Sequence, residues 1–384
     1  MKYFLIAGEA SGDLHASHLM HELKKQDLKA EFCFLGGDLM WTEGGEMIRH
    51  YRQMAFMGFI AVLKNLSVIS VNIKDCKQAL LKFQPDVLIL VDYPSFNLRM
   101  AEFAKKKLNI PVYYYISPKI WAWKEFRIKK IRRYVDRMFT IFPFETEFYA
   151  KHRYPVEYVG NPTVDAVEEF KKSYRGNFQT FRQSNNLVDK PVIALLAGSR
   201  RQEIISCLPR MVEAAMQFPD YQPVVAGAPG VEKDFYFSVL KDTSVAVVFG
   251  QTYELLFHAE VALVNSGTAT LETALIGTPQ VVVYHVAFGK VAYWLKKLFI
   301  KVKYISLVNL IAGKEVVKEL YAHLFTVENV KNELNRILTD AHYRQNMKNE
   351  YKKVSEILGE PGAASRAAKK IFELLHSDKS VLTP

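Results

Sequence analysis

Runs of apolar and β-branched residues without polar alternation decide what this chain can fold into. In the first half they read "KYFLIAG", "EFCFLGG", "DVLILVD", "IPVYYYI" and "RMFTIF". After residue 190 the series restarts with "PVIALLAGS", "YQPVVAG", "SVAVVFG", "EVALVNSG" and "PQVVVYH". Strands of this kind are buried on both faces, as in a parallel sheet covered by helices, and helical patterns lie between most of them. The intervening "VDAVEEFKKSYRGNFQTFRQSNNLVDK" (164–190) reads as linker and helix. At 384 residues the chain suits two domains of moderate size. The expectation is an α/β fold of two doubly wound, Rossmann-like domains facing across a cleft, over residues 1–165 and 186–344. From about Val327 to Leu375 the pattern is helical, broken at "GEPGA". Helices from about 345 to 384 are expected to pack back on the first domain or on a partner chain.

In doubly wound folds ligands meet the carboxyl ends of the strands, so functional residues should directly follow the apolar runs. "LLAGSRRQEI" (195–204) places Gly198, Ser199 and Arg200 between a strand and a helix. Free amides at a helix N-terminus plus a guanidinium suit a pyrophosphate, and a capped turn with a surface arginine is the alternative. "VNSGTATLE" (264–272) repeats the arrangement with Ser266, Gly267 and Thr268. Glu272, four residues after Thr268 and on the same helix face, is placed for the diol of a ribose. Two such turns in one half-chain point to a nucleotide.

"LILVDYPSFN" (88–97) ends its strand on Asp92, which is either a general base or a cap for the helix that follows. "YYYISPKIWAWKEFRIKKIRR" carries Trp121 and Trp123, flat surfaces for a sugar or an acyl chain unless one of them is core. His15, His18 and His21 recur every three residues and read as a solvated helix face. No Asp-x-Asp pair is present to anchor a metal, and the first turn lacks the Gly-x-Gly-x-x-Gly of dinucleotide sites.

The net charge of +11 admits an anionic partner: nucleic acid, an acidic membrane surface or a phosphorylated substrate. No nucleic-acid-binding signature accompanies it. "FMGFIAVLKNLSVISVNIK" (56–74) is apolar on nearly every side, which fits either a core helix or a lipid-facing one. With "KVAYWLKKLFIKVKY" (290–304) and the basic stretch 124–137, the expectation is peripheral contact with an anionic membrane. Val62, Leu63, Leu66 and Ile69 would enter the lipid. No uncharged run is long enough to span a bilayer. Cys33, Cys76 and Cys207 form no CxxC pair and read as reduced, cytoplasmic thiols.

Taken in order, "AGEASGD", "AFMGF", "DYPSFN", "SPKIWAW", "PFE", "LLAGSR", "NSGTATLE" and "YISLVNLIAGKEVVKEL" resemble the lipid-A-disaccharide synthase family across about 360 residues. The resemblance implies a GT-B architecture, a glycosyltransferase activity, inversion at the donor anomeric carbon, and no metal or other cofactor. It implies UDP-2,3-diacylglucosamine as donor and 2,3-diacylglucosamine 1-phosphate (lipid X) as acceptor, joined into a β-1,6-linked disaccharide 1-phosphate. Exchange of the C-terminal helices after Pro361 between protomers would give a homodimer, expected on the cytoplasmic face of the inner membrane. Asn309 and Glu315 join the nucleotide-binding set by this resemblance, and Ser117 the acceptor set. Three positions depart from the common family pattern: Ser95 replaces a second Asp, Asn161 a His, and Lys314 an Arg. Ser95 leaves Asp92 as the base. Two readings compete with this one: a UDP-N-acetylglucosamine 2-epimerase of the same architecture, and a non-catalytic nucleotide-sugar binder.

The first turn, "AGEASGD", carries two carboxylates that would repel phosphate. With the phosphates assigned to Gly198–Arg200 and Ser266–Thr268, this turn falls to the acceptor. Glu9 and Asp13 are expected to cap the first helix and bind sugar hydroxyls, beside Ser11 and Gly12.

Overall fold

The computed structural model describes residues 1–54, 66–241, 243–286 and 302–380. Chain contacts divide it into two units, Met1–Pro162 with Pro361–Pro384, and Thr163–Glu360. The first unit holds a parallel sheet of β1 (Lys2–Ala7), β2 (Glu31–Gly36), β3 (Glu46–His50), β4 (Val87–Val91), β5 (Val112–Tyr115), β6 (Arg137–Thr140) and β7 (Glu157–Tyr158). Its order is β3-β2-β1-β4-β5-β6-β7. The second unit has β8 (Val192–Leu196), β9 (Gln222–Gly227), β10 (Ala246–Phe249), β11 (Ala259–Asn265), β12 (Gln280–Tyr284) and β13 (Glu319–Tyr321), ordered β10-β9-β8-β11-β12-β13. Both are doubly wound orders, in which the winding reverses beside the first strand of the unit.

The central strands earn their place by burial. Every residue of β4 is fully buried, and each such aliphatic side chain contributes about 1.5–3 kcal/mol relative to exposure. In the first unit the core on one side of the sheet runs from Phe4 and Ile6 through Leu88 and Leu90 to Tyr114 and Ile131. In the second, Val192, Ala194, Val224, Val264 and Leu255 form a separate core.

Two boundaries differ from the sequence expectation. The helix Ala341–Leu358 belongs to the second unit, where Met347 Sδ accepts the Gln280 amide at 3.5 Å. Only the last helix, Ala363–Ser380, packs on Ala10–Gln26 of the first unit. There Arg366 Nε donates to the Val159 carbonyl and Nη1 to the Pro361 carbonyl, both at 2.8 Å. Gly160 (φ +92°) lies against that guanidinium, where a Cβ would collide with it. The segment read as linker and helix forms the helices Pro162–Ser173 and Phe178–Ser184 and, from Thr163 on, joins the second unit; the hydroxyl of Tyr174, just after the first of them, meets His258 Nε2 at 2.9 Å.

His18 and His21 are exposed, as their spacing suggests. His15 is only partly exposed, and burial lowers its pKa to about 4, so it is neutral at pH 7. Among the described residues no helix is long and apolar enough to cross a membrane.

Candidate functional site

In the first unit the winding reverses between β1 and β4, which brings Gly8–Glu9 beside Asp92–Tyr93. The two turns touch: a Cβ on Gly8 would run into the Tyr93 ring. Asp92 (φ +44°) and Tyr93 (φ +46°) are both left-handed, a conformation that costs a non-glycine residue about 1–2 kcal/mol. The surroundings enforce it. The Asp92 carbonyl accepts Asn97 Nδ2 at 2.7 Å and the Tyr114 hydroxyl. Asn97 is fully buried, and the Tyr93 hydroxyl is tied to the Met54 carbonyl at 2.9 Å. Strain held this firmly is typical of functional turns.

Asp92 does not cap the helix Pro94–Phe103: its N-cap position is Tyr93, and no side chain caps it. The carboxyl is therefore not spent on a helix cap, and it is partly exposed at the end of the strand. Burial raises its pKa, against the opposing pull of Lys119 and the Tyr93 amide. A carboxylate so placed can accept a proton from a bound hydroxyl.

The acidic turn divides its duties differently from the expectation. Glu9 occupies the N-cap of Ala10–Gln26 without a capping bond from its side chain. Asp13 is buried and caps the next helix instead: Oδ1 accepts the amides of Gly37 (2.8 Å) and Met40 (3.1 Å), and Oδ2 that of Leu39 (3.1 Å). Three amide bonds commit this carboxylate to the start of Asp38–Thr42, so it does not serve a sugar. Gly12 is buried, with a Cβ position 3.3 Å from that of Ala7, so it lets the helix approach β1. Ser11 is exposed.

Ser117 and Trp121 also turn inward. The Ser117 hydroxyl meets that of Tyr149 at 2.7 Å, and Trp121 Nε1 donates to Glu145 Oε1 at 3.1 Å. Glu145 is buried, and its Oε2 accepts the Ile141 and Phe142 amides. Burial lifts its pKa to about 7. The sequence offered Glu145 only as part of "PFE"; its position three residues after the N-cap Phe142 was the available signal. Trp121 is thus the core member of the pair, and Trp123, 55% exposed, is the one that can meet a ligand.

In the second unit the reversal falls between β8 and β11, and each feeds a helix N-terminus: Arg201–Ala215 and Thr268–Ile276. Gly198 (φ +114°) makes the first turn possible, because a Cβ would collide with Glu203 and Asn265. Glu203 Oε2 accepts the Ser199 amide at 3.1 Å, and Oε1 receives Arg200 Nη1 at 3.4 Å. A carboxylate of the chain itself thus occupies the anion-attracting turn. At Thr268–Ile276 the N-cap Gly267 makes no side-chain capping bond, and among the described residues nothing lies within 4 Å of where its Cβ would be. An uncapped helix N-terminus leaves amides that can meet an anion. Ser266 Oγ donates to the Ile305 carbonyl at 2.8 Å. Glu272 accepts the Tyr253 hydroxyl at 2.9 Å, and burial raises its pKa.

Asn309 is fully buried with every polar atom used. Its Nδ2 donates to the Val317 carbonyl and Glu319 Oε1, and its Oδ1 accepts the Val316 and Val317 amides. It shapes the loop rather than touching a nucleotide. Glu319, which the sequence reading passed over, completes the arrangement by accepting the amides of Ile305 and Ser306, the latter at 2.9 Å, and the Ser306 hydroxyl at 2.7 Å. Glu319→Ala leaves these buried donors unpaired. It is expected to cost about 3 kcal/mol, read as a lower melting temperature. Unchanged melting would show that the loop is held by other contacts. Glu315 is exposed and pairs with Lys318 at 3.2 Å, and Lys314 pairs with Glu350 at 2.7 Å. Asn161 is buried and donates to the Ile141 carbonyl at 2.9 Å. Val62 and Leu63 lie outside the described residues, and Ile69 is half-buried near the start of the helix Leu66–Phe83. Among the described residues no cluster of His, Cys, Asp and Glu is arranged for a metal.

A family model described as lipid-A-disaccharide synthetase matches residues 3–372. A lipid-A-disaccharide synthase of Myxococcus xanthus is 39% identical over 381 residues, 97% of either chain. One from Coxiella burnetii is 36% identical over 377 residues, 97% of this chain and 98% of that one. Among solved structures, the UDP-GlcNAc 2-epimerase of Neisseria meningitidis bound to UDP-GlcNAc aligns with a TM-score of 0.68 at 16% identity, covering 98% and 100% of the two chains. The glycotransferase of kitacinnamycin aligns with a TM-score of 0.63 at 12% identity, covering 97% and 99%. Isomerase and transferase share this fold, so the structural likeness speaks for the fold alone.

Proposed function

The chain belongs to the lipid-A-disaccharide synthase family, and from that premise we propose how its two units divide an inverting, metal-independent glycosyl transfer. It is a glycosyltransferase of GT-B architecture. It transfers 2,3-diacylglucosamine from UDP-2,3-diacylglucosamine to 2,3-diacylglucosamine 1-phosphate. Asp92, free of any capping duty on its strained turn, is the observation that carries the division of labour. It takes the proton of the acceptor's 6-hydroxyl as that oxygen attacks the anomeric carbon. The turns at Gly198–Arg200 and Ser266–Thr268 receive the pyrophosphate of the leaving UDP. Glu272 takes the ribose hydroxyls, and the exposed Glu315 is assigned to the nucleotide as well.

Mass spectrometry of the products from both acylated substrates tests this reading, with chelator present. One disaccharide 1-phosphate per UDP released is expected, with a β linkage. Activity that requires added metal would refute metal independence. Interconversion of UDP-N-acetylglucosamine without an acceptor would point to the epimerase instead.

Both substrates carry acyl chains, so the enzyme must work at a bilayer surface, which we assign to the cytoplasmic face of the inner membrane. Val68 and Val71 on the helix Leu66–Phe83 are 37% and 50% exposed. A nearby groove of about 370 Å³ is lined by Lys77, Arg99, Lys106 and Lys107 around a single acid, Glu102. Lys129, Arg132 and Arg133 add further exposed charge. Aliphatic side chains beside cations are the requirement for an acidic bilayer surface. Serine at both Val68 and Val71 is expected to weaken sedimentation with phosphatidylglycerol vesicles several-fold without lowering the melting temperature. A fall in melting temperature would make this face part of the core.

A homodimer is proposed as well. Exchange of Ala363–Ser380 between protomers would reuse the contact that this helix makes with Ala10–Gln26. Light scattering should then give twice 44.1 kDa at micromolar concentration, and a monomer would refute it.

A further inference from the structure

We infer that Arg127 and Lys124 hold the phosphate of the acceptor sugar, at the edge of the turn that carries Asp92. This rests on the reading that a sugar phosphate presents its hydroxyl to Asp92, and adds where its charge is held. Arg127 ends the short helical turn Glu125–Arg127, and its Nη2 donates to Ser95 Oγ at 2.8 Å. Ser95 lies three residues after Asp92, so the guanidinium is fixed to the far end of the same turn. Arg127 is half-buried and its strongest partner is a neutral hydroxyl.

Partly desolvated guanidinium groups are normally answered by an anion, because removing a charge from water is costly unless it is paired. Nearby cations either have one, as Lys105 with Asp136 and Lys106 and Lys130 with Glu102, or, like Lys129, Arg132 and Arg133, are exposed to water. Among the described residues Arg127 and Lys124 have no carboxylate at ion-pair distance. They face each other instead, and burial together with the Arg127 charge lowers the pKa of Lys124. Lys124 is held in a left-handed conformation (φ +56°), its ammonium 4.1 Å from the centre of the Trp123 ring.

The neighbours of these two cations fit the rest of such a ligand. Trp123 is 55% and Phe126 69% exposed, so two large aromatic faces flank two unanswered positive charges. Water disfavours that surface as it stands, and an acylated sugar phosphate matches both of its halves. The donor's phosphates have their own helix termini in the second unit, so they do not compete for this place.

Steady-state kinetics on the full chain tests the assignment, using the phosphorylated acceptor and the same acylated glucosamine without its 1-phosphate. Arg127→Met is expected to raise KM for the phosphorylated acceptor roughly 10–100-fold, the scale of a lost hydrogen bond to a charged group. The donor KM should hold, Arg127→Lys should recover part of the loss, and the loss should disappear with the acceptor that lacks phosphate. Equal losses on both acceptors, or a raised donor KM, would overturn the assignment. Calorimetric titration with glucosamine 1-phosphate and with glucosamine supplies a readout free of turnover. The wild-type chain should prefer the phosphorylated sugar, and Arg127→Met should abolish the preference. Equal binding of the two sugars by the wild type overturns the phosphate seat. Failure to make disaccharide overturns the function instead.

Discussion

Asp92→Asn is expected to leave UDP binding intact and to lower turnover by roughly 10²–10⁴. The amide keeps the size of the carboxylate, so the turn set by Asn97 and Tyr114 stays in place, since both bond the Asp92 main-chain carbonyl. What disappears is basicity. The pH profile gives a second check. Burial holds the Asp92 carboxyl above its ordinary value while Lys119 pulls it down. Only the ionised form accepts a proton, so kcat/KM should rise with pH through a pKa above the usual carboxylate value of about 3.9. Lys119→Met removes the opposing pull and should move that limb to higher pH. In Asp92→Asn the limb should vanish along with most of the activity. Near-normal turnover would place the base elsewhere, and Glu9, across the same switch point, would be the next residue to change.

The central strands were the most legible ones. β1, β4, β8 and β11 lie at the centres of their sheets and announced themselves as unbroken apolar runs. The strands that the runs did not announce, β3, β7 and β13, lie at sheet edges. Glu157–Tyr158 and Glu319–Tyr321 have two and three residues, and Glu46–His50 carries charge along a half-solvated face. An edge strand needs neither length nor two apolar faces, so its pattern fades.

The turns at the two switch points were legible for the same reason, since strand ends locate them. What single residues do within a turn was harder to read, because that depends on partners far away in sequence. Asp13 looked like a first-turn acid of its own helix, yet its amides come from residues 37–40. Asn309 has the chemistry of a nucleotide ligand, but a carboxylate ten residues later and a loop carbonyl use up its amide group. Ser117 and Trp121 sit in a loop whose inner side is fixed by Glu145, from a different helix. In each case a buried polar group found a partner that spacing does not reveal.

Arg200→Ala should lower turnover about 10²-fold or more, the scale of losing one preorganised donor to a developing charge. As the bond to the sugar breaks, negative charge grows on the β-phosphate, so a cation beside it favours the transition state over the bound substrate. The resting site already contains a stand-in for that charge: Glu203 takes the Ser199 amide and the Arg200 guanidinium. On the proposed reading UDP competes with this carboxylate for the Ser199 amide, while the guanidinium keeps further N–H donors. Glu203→Gln weakens the internal competitor without emptying its space, so UDP should bind the variant more tightly than the wild type. The two changes therefore separate the parts of the turn. Losing Arg200 should lower kcat more than it weakens UDP binding, because the contact strengthens as charge develops. A variant with unchanged kcat at saturating substrate would remove Arg200 from the chemical step. The open N-terminus of Thr268–Ile276 would then be the main source of leaving-group stabilisation.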